Sequence, residues 1–313
     1  MIRLRHVLVF VFVCLMTYTF PGSALAVDGG VWIALGEPGG AYAEAAEAAR
    51  TELMRGGGRG EPLVRPWREL VAAGAAPPRL VVAVGVGAMR GIADSGLKAP
   101  MVATLVPRAS YQRFVESMGG GRSVTAVWLD QPAARQMELL RLALPQRRRV
   151  GVLFGADSRL FEQELLRAGA ERGLDIVAAH AYSGEQVPTS LQRTLEDADI
   201  LLALPDPQIY NSSTIQNILT AAYRRRLPLV GFSAAYVKAG ALLALYSTPA
   251  QVGTQAGEIA RATLAGKSLP PPQWPREFAV GVNADVSRSL GVPLDGDSGA
   301  RLTDYLRTRE RAP

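Results

Sequence analysis

VGVLF at 150–154, LDIVAAHA at 174–181, ILLAL at 200–204 and LVGF at 229–232 are four apolar runs whose starts lie 24, 26 and 29 residues apart. Each is almost continuously apolar rather than alternating, the pattern of a parallel strand covered on both faces. Segments of helical period separate them. In the clearest, 212–225, Ile215, Ile218, Leu219, Ala222 and Tyr223 share one face. Asn211 or Ser212 is placed to cap its start, and Pro228 closes its exit. One such spacing is one βα unit, and repeated βα units imply an α/β protein built on doubly wound parallel sheets.

The same grammar extends in both directions. Further apolar runs occupy 31–35, 80–86, 101–106, 124–129 and 242–246. A second helical segment, 131–144, has Asp130 as a candidate cap, Pro132 in its first turn and Pro145 at its end. A chain of 313 residues has room for two such sheets. Gly119-Gly120-Gly121 before the run at 124–129 and Pro270-Pro271-Pro272 before Trp274 mark breaks between them. The tail from Asp295 is polar and charged and reads as a loosely packed end.

The first residues read as an export signal. Arg3 and Arg5 precede an apolar run at 7–20, Pro21-Gly22 break it, and Ala24-Leu25-Ala26 presents small residues to a signal peptidase. As a helix that run spans about 21 Å, short of a bilayer core of roughly 30 Å. Residues 1–26 are therefore expected to be a signal peptide cleaved after Ala26. Cys14 follows Val13 rather than a small residue, which argues against a lipoprotein. Cleavage would remove Cys14 and His6, leaving no cysteine and His180 as the last histidine. That composition excludes a disulfide framework, a Cys/His zinc site and a thiol redox pair. The remaining charge excess is small and spread out, so no nucleic-acid partner is expected.

Catalytic and cofactor patterns are weak. Gly85 and Gly87 suggest a dinucleotide fingerprint, but the third position is Arg90, with Gly91 one residue late, and no acidic residue ends the next strand. What survives is a strand ending in glycines at a helix start, which either turns backbone N–H groups there, at Gly87 and Ala88, toward an anion or serves only a tight turn. No G-x-S-x-G elbow accompanies His180, which reads as a structural or surface residue. Arg147–Arg149 and Arg224–Arg226 read as solvated helix ends. No cofactor and no metal is expected. The polar loops lie after strands, where open parallel sheets bind ligands. They carry Asp157 and Ser158, then Asp206, Tyr210 and Ser212, then Ser233 and Tyr236. Asp206 could accept from an ammonium, Ser158 and Ser212 could donate to a carboxylate, and the tyrosines could pack an apolar face; the alternative is that these groups cap turns and helices.

Three stretches bear a family likeness. Asp130-Gln131-Pro132 through Leu144-Pro145 and on to Val150-Gly151-Val152-Leu153 resembles the ABC transporter substrate-binding proteins related to tryptophan- and tyrosine-binding receptors. Pro205-Asp206-Pro207 with Thr214-Ile215-Gln216-Asn217-Ile218-Leu219, and the segment from Val230-Gly231-Phe232-Ser233 to Leu242, resemble one branch of that group. Tyr246-Ser247-Thr248-Pro249, Gly253, Asn283 and Leu290-Gly291-Val292 continue the likeness, which is specific over about 125–292 and architectural over 27–120.

The resemblance implies a type I periplasmic-binding-protein fold: two doubly wound lobes, three crossovers and a ligand in the cleft. The crossovers would fall near 125–130, 245–249 and 275–280. The N-terminal lobe would then comprise 27–125 plus 247–277, and the C-terminal lobe 126–246 plus 278–313. The first-lobe ligand loops would map to 36–42, 85–89 and 104–108, adding Thr104 to the candidate contacts. Gly87, Ala88 and Met89 stand where relatives often present hydroxyls, so an ordinary amino acid is not the obvious ligand. The expected protein is a monomeric periplasmic solute receptor that closes on an amino-acid-like or other small polar or aromatic molecule and delivers it to an inner-membrane ABC permease. It is not expected to be an enzyme. An exported scaffold or sensor subunit of the same fold, binding a protein partner, is the alternative; a hydrolase using a carboxylate pair is a third reading.

Overall fold

The computed structural model describes residues 30–55, 60–73 and 76–311; the expected signal peptide lies outside the described residues. The first half winds one sheet: β1 (Val31–Leu35), α1 (Gly40–Met54), β2 (Leu63–Pro66), α2 (Trp67–Ala72), β3 (Leu80–Val84), α3 (Val86–Asp94), β4 (Met101–Val106), α4 (Arg108–Ser117) and β5 (Val124–Trp128). Its five strands run in the order β2-β1-β3-β4-β5, all parallel. The second half comprises α5 (Ala133–Ala143), β6 (Arg149–Phe154), a 3-10 turn (Ser158–Phe161), α6 (Glu162–Ala170), β7 (Asp175–His180), α7 (Val187–Asp197), β8 (Ile200–Leu202), α8 (Ile215–Arg224), β9 (Leu229–Gly231), α9 (Ala234–Ala239) and β10 (Leu243–Tyr246). Then follow α10 (Pro249–Leu264), β11 (Ala279–Val282), α11 (Ala284–Leu290) and α12 (Ser298–Arg311). The second sheet has six strands in the order β11-β10-β9-β8-β6-β7.

Both sheets are covered on both faces, which is why their central strands read as unbroken apolar runs. Ile33, Val82 and Val84 of the first sheet meet Ala45, Ala49, Val252 and Ala256 on one face, while Trp32, Val81 and Ala83 meet Met89, Ile92 and Phe114 on the other. In the second sheet Val150, Val152 and Phe154 pack on Met137, Leu140 and Leu306, and Leu153 and Leu201 pack on Leu191, Leu195 and Ile218.

The chain passes between the two sheets three times: from β5 to α5, from β10 to α10, and from α10 back to β11. Helix α10 packs on α1 and on β3, β4 and β5, so it belongs to the first sheet although it follows β10 of the second. After it, Gln273 forms a bridge to Val127 of β5 before the chain enters β11.

Several expectations are corrected. The edge strand β11 is antiparallel to β10, because the chain returns from the first sheet against the direction of its neighbours. The edge strand β2 was not anticipated: its sequence, LVRP, is polar and ends in proline, as an edge with one free side permits. Pro132, not Asp130, is the residue before α5, and Thr214, not Asn211 or Ser212, precedes α8. The Asn211 side chain instead accepts from Ser213 within its own loop. Arg149 opens β6 rather than ending a helix, and Arg147, Arg148 and Arg149 all gather on Asp199. The tail is not loose. α12 lies against β11 and α5, Leu306 is buried in the core, and Thr303 donates to the Gly299 carbonyl and accepts from the Val280 N–H.

Candidate functional site

The two sheets turn the carboxyl ends of their strands toward one cleft, floored by the three crossing segments. These segments are tied to one another by a polar network. Gln131 donates to Ser247 at 3.0 Å, and Ser247 donates to the Glu277 carbonyl at 2.6 Å. Arg135 donates to Gln131 at 2.6 Å and to the Pro275 carbonyl at 3.2 Å, and it is held from behind by Glu310 of α12. Each crossing thus contacts another through buried, satisfied hydrogen bonds, which resist slippage because an orphaned partner would be expensive.

On the first-sheet side, the three loops expected to line the site do converge. The Gly36 N–H bonds Val84 and the Gly85 N–H bonds Thr104. Tyr42 lies so close to Gly85 that a Cβ there would fall 2.3 Å from the ring, and Gly85 also has φ 92°, so glycine is required twice over. Gly87 is exposed in the first turn of α3, whereas Ala88 is buried. Thr104 is buried too, and its hydroxyl points to the Val252 carbonyl of α10, away from the cleft. The end of β4 is irregular: register shifts between Thr104 and Val106, and Leu105 sits at φ 52°. Such a bulge re-aims the chain that follows it. Here it delivers Arg108.

Arg108 is the centre of the cleft. Its backbone N–H donates to Asp130 at 2.6 Å and its Nη1 reaches Glu164 of α6, on the second-sheet side, at 2.7 Å. Its guanidinium lies over Phe161 at 4.4 Å, Trp274 at 5.0 Å and Trp128 at 5.3 Å. A small cavity surrounds it, bounded from the hinge by Asp130, Gln131 and Trp274 and from the second lobe by Gln136, Ser158, Phe161, Glu164 and Pro205. A neighbouring hollow continues it past Gln131, Gln136 and Pro205 to Gly231, Phe232 and Leu245. Alongside, Arg113 of α4 pairs with Asp157 across the same gap.

On the second-sheet side, Asp206 is buried and accepts from the Ser158 N–H at 3.0 Å, the Ser158 hydroxyl at 2.8 Å and the Gln208 N–H at 3.0 Å. It locks two loops together rather than facing the cleft. Gly155 is the residue that admits it, since a Cβ there would lie 2.4 Å from the carboxylate. Tyr210, Phe232 and Tyr236 form an aromatic cluster beside these loops, with Phe232 and Tyr236 centroids 4.5 Å apart. Burial, first of all, pushes both tyrosine hydroxyls far above their ordinary range, and the Tyr210 hydroxyl has no partner. Ser212 is exposed, and Ser233 precedes α9 without capping it through its side chain. Of the sequence-stated candidates, Ser158 reaches the cavity, Asp157 bridges the lobes, and Asp206 stands behind them. Arg108, Phe161, Glu164 and Trp274 were not singled out. The signals for Arg108 were its place directly after a strand end at Val106-Pro107 and at the end of the 104–108 loop that the resemblance implied.

Asp130 is the titratable group of this region. Burial pushes its carboxyl up to about 6, against the opposing pull of the Arg108 N–H and charge. A carboxyl raised on folding contributes stability that is complete below its ordinary value and is lost as pH rises through the raised one. Thermal unfolding of Asp130→Asn beside the parent should therefore show a stability difference in favour of the variant that grows between about pH 4 and pH 6 and is flat above. Parallel profiles would contradict this.

The family model for "ABC transporter substrate binding protein" matches residues 40–295. The chain belongs to that family. Members are binders and not catalysts. This substrate-binding protein is 22% identical over 242 residues to a tyrosine-binding protein of Clostridioides difficile (strain R20291), covering 74% of this chain and 68% of that one. Its fold is shared with the L-Trp complex of an ABC domain from Streptococcus pneumonia, at TM-score 0.64 and 17% identity over 86% of this chain and 96% of that one. It is shared equally with the ligand-free, open structure of a substrate-binding protein with adhesive properties from Clostridium difficile, at TM-score 0.66 and 16% identity over 86% and 96%. The type I periplasmic-binding-protein architecture follows from these likenesses and from the two sheets.

Proposed function

We propose that this substrate-binding protein captures a small amino-acid-like or other polar or aromatic molecule between its lobes, in the periplasm, and as a monomer passes it to an inner-membrane ABC permease. The observation that carries the reading is the cavity around Arg108, walled by the first lobe, the hinge and the second lobe at once. A ligand there touches both lobes only in the closed form, so binding shifts an open–closed equilibrium by its differential affinity. The tyrosine- and tryptophan-binding relatives support the amino-acid-like class. On this reading the first lobe runs to Trp128 rather than to residue 125, because β5 continues that far, and regains the chain at α10 through Gln273.

Thermal unfolding of residues 27–313, first stripped of carried-over ligand by unfolding and refolding, tests the reading against amino acids, peptides, nucleosides and sugars. A ligand at 100 times its dissociation constant adds about 2.7 kcal/mol, a shift of a few degrees at this size. A shift confined to one chemical class is the expected result. A flat screen would remove the transport role.

A further inference from the structure

The site just proposed holds an occupant of its own, and that occupant is a cation. The Arg108 guanidinium is held through Nη1 on Glu164 and through its plane over Phe161, Trp274 and Trp128. Its buried Nε has no partner. The two indoles themselves meet edge to face at 4.7 Å, which fixes the wall against which the guanidinium rests. Aromatic faces closing around a carboxylate are complementary to an organic cation, since the ring quadrupole and the carboxylate attract the same charge. They are not complementary to an anion. Moreover, Arg108 stands on α4 of the first sheet, whereas Phe161 and Glu164 lie on the second. Separating the lobes parts the guanidinium from Phe161 and Glu164, while Trp128 and Trp274 stay with the first lobe.

We propose that Phe161, Glu164, Trp128 and Trp274 form a receptor for the guanidinium or alkylammonium head of the ligand, and that Arg108 fills this receptor as an intramolecular competitor when the lobes are closed. The proposal rests on the binding-protein reading and narrows its ligand class. It has an unusual consequence. An intramolecular occupant lowers apparent affinity by the fraction of molecules it blocks. Removing Arg108 should therefore strengthen binding of cations, whereas removing an ordinary ligand contact weakens it.

Titration calorimetry with agmatine and methylguanidinium, and with N-methylurea as the uncharged isostere, tests this on the parent, Arg108→Ala and Arg108→Met. Both variants keep the backbone N–H that Asp130 accepts, and the Met variant preserves much of the side-chain bulk should the Ala variant fold poorly. The expected result is at least a tenfold gain in affinity for the two cations in either variant, none for the urea, and loss of the gain when Glu164→Gln is added. No gain, or an equal gain for the urea, overturns the proposal. A parent protein that answers the ligand screen with an uncharged or anionic class, while neither variant gains cation binding, would retain the receptor reading and sink the cation site alone. Failure in both experiments would sink both.

Discussion

In a denaturant titration, Gly253→Ala is expected to lose about 3 kcal/mol, the upper end of what one added methyl costs when the surrounding atoms cannot yield. A Cβ at this position would lie 2.2 Å from the Ala45 carbonyl oxygen and 2.8 Å from the Ala45 Cα. Those are backbone atoms of α1, fixed by that helix's own hydrogen bonds. Gly257, one turn on, makes the same approach, 2.8 Å from the Ala49 carbonyl oxygen. The two glycines let α1 and α10 lie backbone to backbone, and so hold α10 on the first sheet after the chain has already visited the second. Gly184→Ala is the control. Nothing lies within 4 Å of its Cβ, and a change of no more than about 0.5 kcal/mol is expected. Similar midpoints for the two variants would mean that the α1–α10 contact is looser than the geometry states.

The second large effect is expected at Asp206. Asp206→Ala removes a buried carboxylate with three donors directed at it, and leaves the Ser158 and Gln208 N–H groups without a partner. Hydrogen bonds to a charged group are each worth about 1.5–3 kcal/mol, and orphaned buried donors add their desolvation, so a loss of about 4 kcal/mol is expected. Asp206→Asn keeps one acceptor oxygen and should lose about half as much. The variant should also weaken ligand binding, because Ser158 lines the cavity and depends on Asp206 for its position. A loss below about 1 kcal/mol for the alanine variant would show that the loops hold each other by other means.

The role of Asp206 illustrates how a site residue can be visible while its task is not. Its position after β8 placed it among ligand candidates, since strand ends of parallel sheets face the cleft. Its side chain turns instead toward Ser158, 48 residues earlier, and that choice depends on the space Gly155 leaves. Thr104 behaves alike: the strand was legible, but the face its hydroxyl takes depends on α10, which returns from 148 residues away. Arg108 is the converse. One basic residue after a strand is unremarkable in sequence, and it becomes central only because Phe161 and Glu164 from one distant segment and Trp274 from another meet there.

The βα period and the two-sheet α/β class were determined by the sequence alone, because each depends on residues close together in the chain. Apolar runs of five or six residues, separated by helical segments, commit the backbone locally whatever lies beyond them. The reversed edge strand β11, the anchoring of α12, the hinge network from Gln131 through Arg135 to Glu310, and the occupied aromatic cleft were decided only by the tertiary structure. Each joins groups from distant segments, Arg135 and Glu310 being 175 residues apart. Such pairs leave no periodicity behind, since a side chain's partner is set by where two lobes bring it and not by its neighbours along the chain.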